Sequence, residues 1–178
     1  KILIGGLFTK FNGTTRKRFA RLNSDGTLDN TFLTGEGATG VISAIGIQST
    51  GMIIIAGTFT NYDGSDRGGI ARVNTDGSID GTFDPGGFND TGMPQKVLVL
   101  SDDKLIIGGQ VLNYSGVSTN HYYVLKTDAN GVLDTNFLSP IEVGGFVYDV
   151  DLYDEDHIIV VGGFQNPGQR IVRMKINT

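Results

Sequence analysis

The sequence predicts an all-β chain folded as a segment of a β-propeller, and three observations carry the prediction. A unit of about 52 residues recurs along the 178-residue chain. Each unit holds four short strand candidates separated by turn residues. The second candidate in each unit is an unbroken apolar run, as expected of a strand covered on both faces. The expected architecture is about three and a half four-stranded antiparallel blades of about 52 residues each.

The repeat is read most directly from the second strand. Lys1-Ile2-Leu3-Ile4-Gly5-Gly6 returns as Met52-Ile53-Ile54-Ile55-Ala56-Gly57, as Lys104-Leu105-Ile106-Ile107-Gly108-Gly109 and as Ile158-Ile159-Val160-Val161-Gly162-Gly163. The third strand repeats Phe19-Ala20-Arg21-Leu22-Asn23 as Ile70-Ala71-Arg72-Val73-Asn74, with weaker copies at Val124-Leu125-Lys126 and Val172-Arg173-Met174. Asp25-Gly26, Asp76-Gly77 and Asn130-Gly131 mark turns into a fourth strand that ends at Phe32, Phe83 or Phe137. Each of these rings is expected to plug the seam between blades, and Phe8, Phe59 and Phe164 are expected to do the same.

Placed on the chain, the first strands fall at 41–48, 96–100 and 147–152, and the second at 1–5, 52–57, 104–109 and 157–162. The third fall at 18–23, 70–74, 122–127 and 170–176, and the fourth at 28–32, 79–83 and 133–137. The whole of 1–178 is one propeller segment with blade pieces 1–32, 41–83, 96–137 and 147–178. Lys1 rather than Met stands first, which gives the expectation of a window from a longer protein. The strands missing from the first and last pieces do not complement each other. The expectation is a fragment of a larger ring of about six to eight blades, or a chain whose missing strands come from elsewhere.

Composition narrows the function classes. The chain has no Cys, so disulfides, thiolate nucleophiles and thiolate metal sites are absent together. A net charge of −5 argues against nucleic acid, whose binders carry a basic footprint. No apolar stretch reaches the length of a membrane span. Gly35-Glu36-Gly37 lacks the Lys and helix of a phosphate loop. Neither His121 nor His157 stands in an arrangement that reads as a catalytic triad, and the acidic run Asp149, Asp151, Asp154, Glu155, Asp156 reads as a solvated face. No catalytic residue, metal ligand or cofactor is assigned.

Two sets of residues remain as candidates. Asn23, Asp25 and Asp29 are spaced like calcium ligands, as are Asn74, Asp76 and Asp80, and in part Asp128, Asn130 and Asp134. The alternative is a hairpin turn held by side-chain bonds to nearby N–H groups. Phe11, Tyr62 and Tyr114 share one aligned place in the second-to-third loop, either as a ring of aromatics facing a partner or as packing for each loop. The third loop departs from its siblings at Asn120, His121, Tyr122 and Tyr123, and departures from a repeat are where contacts are grafted. Phe11, Tyr62, Tyr114, His121 and Tyr122 are therefore the candidate partner-binding residues.

The segments Lys1–Phe32 and Met52–Phe83 resemble the delta-60 repeat, a bacterial and viral propeller repeat. Lys104–Phe137 is a looser copy, with Val111 in the place of Phe8 and Phe59 and Lys126 in that of Arg21 and Arg72; the last copy has a shortened loop, Gln165-Asn166-Pro167-Gly168. The resemblance implies a scaffold without shared catalytic residues, found in large secreted or surface proteins and in phage tails and fibres. The expected function is a non-enzymatic structural or binding module, extracellular or in a virion. Its expected partners are a protein or glycan surface and the blades or chains that complete the propeller. The alternatives are a propeller domain of a secreted enzyme or of a calcium-dependent adhesin, with its active residues outside this window.

Overall fold

The computed structural model describes residues 1–88, 92–111, 113–118, 123–137, 146–164 and 170–176. Among them there is no helix, and so none long and apolar enough to cross a membrane. The β-branched and aromatic residues of the repeat form small antiparallel sheets in chain order. The first sheet pairs β1 (Ile2–Gly5) with β4 (Phe19–Leu22), and between them β2 (Lys10–Phe11) and β3 (Thr14–Thr15) form a separate hairpin. The second sheet has the order β5 (Ile42–Ile47), β6 (Ile53–Gly57), β9 (Ile70–Val73), with the hairpin β7 (Asn61–Tyr62) and β8 (Ser65–Asp66) between the last two. The third repeats this with β10 (Met93–Val99), β11 (Leu105–Gln110) and β14 (Val124–Thr127), and the hairpin β12 (Asn113–Tyr114) and β13 (Val117–Ser118). The fourth contains β15 (Val147–Leu152), β16 (His157–Gly162) and β17 (Ile171–Lys175).

The apolar run of the second strand has a simple cause. Side chains of a strand alternate between faces, and here each face belongs to a different core. Ile53 and Ile55 of β6 pack with Phe19, Phe32 and Tyr62 in the first seam. Ile54 and Ala56 pack with Phe83, Leu105 and Ile107 in the second. Ile106 of β11 turns the other way, to Val150, Ile158 and Val160 in the third. Phe32, Phe83 and Phe137 lie one in each seam, as their repeat position predicts. Phe59 and Phe164 are buried as well, while Phe8 is half-buried.

The sheets also come close. A methyl added to Gly46 would stand 2.6 Å from Cγ2 of Val99 in the next sheet, and one on Gly5 would stand 2.7 Å from Cγ2 of Ile42. Each first strand carries a bulge at the same place, at Ile42/Ala44, Pro94/Lys96 and Val147/Asp149. From the first of these, the Ser43 hydroxyl donates to the Pro94 carbonyl in the adjoining sheet.

Two expectations are corrected. The fourth strand is a single bridge in each of the first three blades: Leu22 with Leu28, Val73 with Ile79, Thr127 with Leu133. The residue after each bridge partner is Asp, whose Oδ1 accepts the N–H two positions on: Thr31 from Asp29, Thr82 from Asp80, Asn136 from Asp134. That local turn competes with the ladder and ends it. In the first three sheets the second-to-third connections are hairpins rather than loops, and the shortened loop Gln165-Asn166-Pro167-Gly168 lies outside the described residues. Asn12-Gly13, Asp63-Gly64 and Ser115-Gly116 all have positive φ at both central positions, the conformation of a two-residue hairpin turn.

Candidate functional site

The acidic turns are built as turns. The Asp25 carboxylate accepts from the Thr27 N–H at 3.0 Å and the Thr27 hydroxyl at 2.6 Å, and Asp76 does the same with Ser78 at 3.0 and 2.7 Å. Asp128 accepts from the N–H groups of Asn130 and Val132, both at 2.8 Å. These donors hold the Asp25 and Asp76 carboxyls below the ordinary carboxylate range. Among the described residues there is no cluster of three or more His, Cys, Asp or Glu side chains placed to hold a metal ion.

The remaining carboxylates of the repeat face cations. Asp29 Oδ2 lies 2.8 Å from Nε of Arg21, and Asp80 Oδ2 lies 2.7 Å from Nε of Arg72. Lys126 Nζ stands 3.6 Å from Asp134 Oδ2. The Arg21 guanidinium sits 4.5 Å above the centre of the Phe32 ring, and that of Arg72 sits 5.0 Å above Phe83. Each cation then reaches across a seam. Arg21 donates to the Thr75 carbonyl, Arg72 to the Ala129 carbonyl at 3.2 Å, and Lys126 to the Ile176 carbonyl at 2.9 Å. These three carbonyls occupy one repeat position, so the arrangement is a latch copied at every seam. In the fourth sheet Arg173 takes the equivalent place, 5.5 Å over Tyr153.

The aligned aromatics divide. Tyr62 and Tyr114 are fully buried. The Tyr62 hydroxyl donates to the Gly77 carbonyl at 3.0 Å, and that of Tyr114 to the Gly131 carbonyl at 2.7 Å. Burial pushes both phenols above their ordinary range. Each ring ties its hairpin to the turn after the third strand and offers no face to a partner, which is the packing arrangement. Phe11 is half-buried and has no hydroxyl to anchor. His121 and Tyr122 lie outside the described residues. His157 opens β16 with Nδ1 2.7 Å from Asp154 Oδ1, a contact within its own turn.

Two open surfaces lie where the first and second linkers enter the next sheet, and sequence reasoning missed them. At the first seam a cleft of about 260 Å³ is lined by Lys17, Arg18, Glu36, Thr39 and Asn61. Arg18 Nη1 closes onto the Ala38 carbonyl at 2.9 Å. At the second seam the equivalent positions are Gly68 and Gly69, and the cleft is about 610 Å³. Thr58, Thr60, Asp66, Phe88, Met93 and Gln110 line it. The backbone follows the same path in both: Gly6 N–H donates to the Arg18 carbonyl at 3.1 Å, and Gly57 N–H to the Gly69 carbonyl at 2.9 Å. The replacement of Lys17-Arg18 by Gly68-Gly69 was the available signal.

A third hollow, of about 700 Å³, lies between Asp102 and Lys126 on one side and Tyr153, Asp154, Glu155 and Asp156 on the other. No curated protein and no solved structure matches the chain. A family described as a domain of unknown function (DUF5122), beta-propeller, matches residues 1–32, 48–83 and 100–137, more than half of the chain. With its repeated sheets, seams and latches, this chain belongs to the DUF5122 β-propeller family.

Proposed function

We propose that the chain is a rigid, non-enzymatic scaffold within a large extracellular or virion protein, of the phage tail or fibre kind, and that it presents hairpins and seam clefts to a protein or glycan surface. One observation carries this reading. Polar side chains shared between copies are consumed in architecture: Arg21, Arg72 and Lys126 in latches, Asp25, Asp76 and Asp128 in turns, and in two copies Tyr62 and Tyr114 in buried anchors. What is left to differ between copies is the surface beside the seams, and variable loops on a rigid frame are where recognition resides.

The test is to measure saturable binding of the labelled chain to intact bacterial cells before and after periodate or protease treatment. Binding abolished by periodate identifies a glycan surface, and binding abolished by protease identifies a protein. Absence of saturable binding, or turnover of glycoside or ester substrates by the purified chain, overturns the reading.

A further inference from the structure

The two seam clefts are internal controls for each other, because one backbone path carries different side chains. Arg18 and Gly69 both have positive φ, +69° and +78°, so the conformation accepts either residue. With Arg18 the cleft is narrow and bordered by Lys17, Arg18 and Glu36; with Gly69 it is more than twice as large. At about 610 Å³ the second cleft falls within the usual size of a small-molecule site. Among the described residues no Lys or Arg lines it, and Asp66 is the one charged side chain that does.

That lining selects a ligand by its chemistry. An anion would meet the Asp66 carboxylate, and no Lys or Arg among the described lining residues offsets that repulsion. A hydroxyl donates well to a carboxylate. The Gln110 amide both donates and accepts, and the Thr58 and Thr60 hydroxyls do likewise. Phe88 and Met93 add an apolar wall, with Met93 more than a third exposed. A ring that carries hydroxyls on its rim and C–H groups on its faces matches polar groups and an apolar wall placed together. We propose that the second-seam cleft binds an uncharged carbohydrate, an assignment that rests on the scaffold reading above and deepens its glycan arm.

The experiment titrates the full 178-residue chain with maltotriose, chitotriose and N-acetyllactosamine, and with sialyllactose as the anionic comparison, read by saturation-transfer NMR and calorimetry. Gly69→Arg installs the side chain that the first seam carries. Because a Cβ at Gly69 would stand 2.7 Å from the Gly57 carbonyl oxygen, the double variant D66N/Q110A provides a second test that leaves this backbone untouched. The expected result is binding of a neutral sugar, weakened at least about tenfold in D66N/Q110A and abolished in a folded Gly69→Arg chain. Sugar binding unchanged in D66N/Q110A overturns this site but leaves the glycan reading standing. Preference for sialyllactose overturns the ligand class. Binding of cells with no sugar bound by the purified chain overturns the cleft assignment and leaves the protein arm.

Discussion

The Arg72 guanidinium donates to the Ala129 carbonyl across the second seam, at 3.2 Å, while its Nε is paired with Asp80 inside its own blade. One side chain thus ties two consecutive repeats together. Its planar fork serves both partners while the guanidinium sits 5.0 Å from the centre of the Phe83 ring. Arg72→Ala leaves the nearly buried Asp80 carboxylate without its cation, and is expected to cost about 2 kcal/mol in urea unfolding. Arg72→Lys is expected to recover part of this loss, because the third copy already operates with Lys126.

The tyrosine anchors make a narrower prediction. Tyr62→Phe keeps the ring in the first-seam core and removes only the donor to the Gly77 carbonyl. The loss is expected to be about 1–2 kcal/mol, with an unchanged denaturant slope. Tyr114→Phe should behave alike, since Tyr114 is equally buried and makes the same bond to Gly131.

Two glycines separate crowding from composition. A methyl on Gly57 would overlap the Val41 carbonyl oxygen, whereas one on Gly81 meets nothing within 4 Å. Gly57→Ala is expected to lower stability by about 3 kcal/mol. Gly81→Ala is expected to stay within about 0.5 kcal/mol of the parent chain. Parallel urea melts of the two variants check both.

Acid sensitivity follows from the carboxylates. Hydrogen bonds from Thr31, Lys1 and Arg21 hold the Asp29 carboxyl well below its ordinary range. At Asp80 burial pulls upward, and donors from Thr82 and Arg72 outweigh it. A folded-state value below the unfolded one, about 3.9 for Asp, means these groups stabilise the fold fully above that value. The contribution is lost as pH falls through the folded-state values. Melting temperature is therefore expected to be level from about pH 7 to 5 and to fall below about pH 4. The slope of that acid limb should be reduced in D29N/D80N.

Much of the fold was legible because its determinants are periodic. The run Ile53-Ile54-Ile55-Ala56 declares a strand with two covered faces, and Phe32, Phe83 and Phe137 announce the seams in advance. The shortened fourth strand was not legible, because Leu28-Asp29 reads as strand by its neighbours and turns only through the Asp29 side chain. The latch was present in the numbering, since Arg21 to Asp29 and Arg72 to Asp80 are both eight residues apart. Its cross-seam acceptors were not, because carbonyl oxygens carry no residue signature. Tyr62 and Tyr114 aligned correctly, but alignment does not distinguish a ring that faces outward from one that faces inward. The second-seam cleft is opened by two glycines, and a missing side chain is easily read as a mere loop.

The alternating allegiance of β6 governs how such a chain can change length. Insertion of one residue ahead of Ile53 would exchange the occupants of two cores at once, giving Ile54 to the first seam and Ile53 to the second. Duplication of a whole unit preserves every assignment, and the added copy brings its own cation for the next junction. Lengthening by complete modules is thus the route this architecture leaves open, while small indels are confined to the hairpins and linkers.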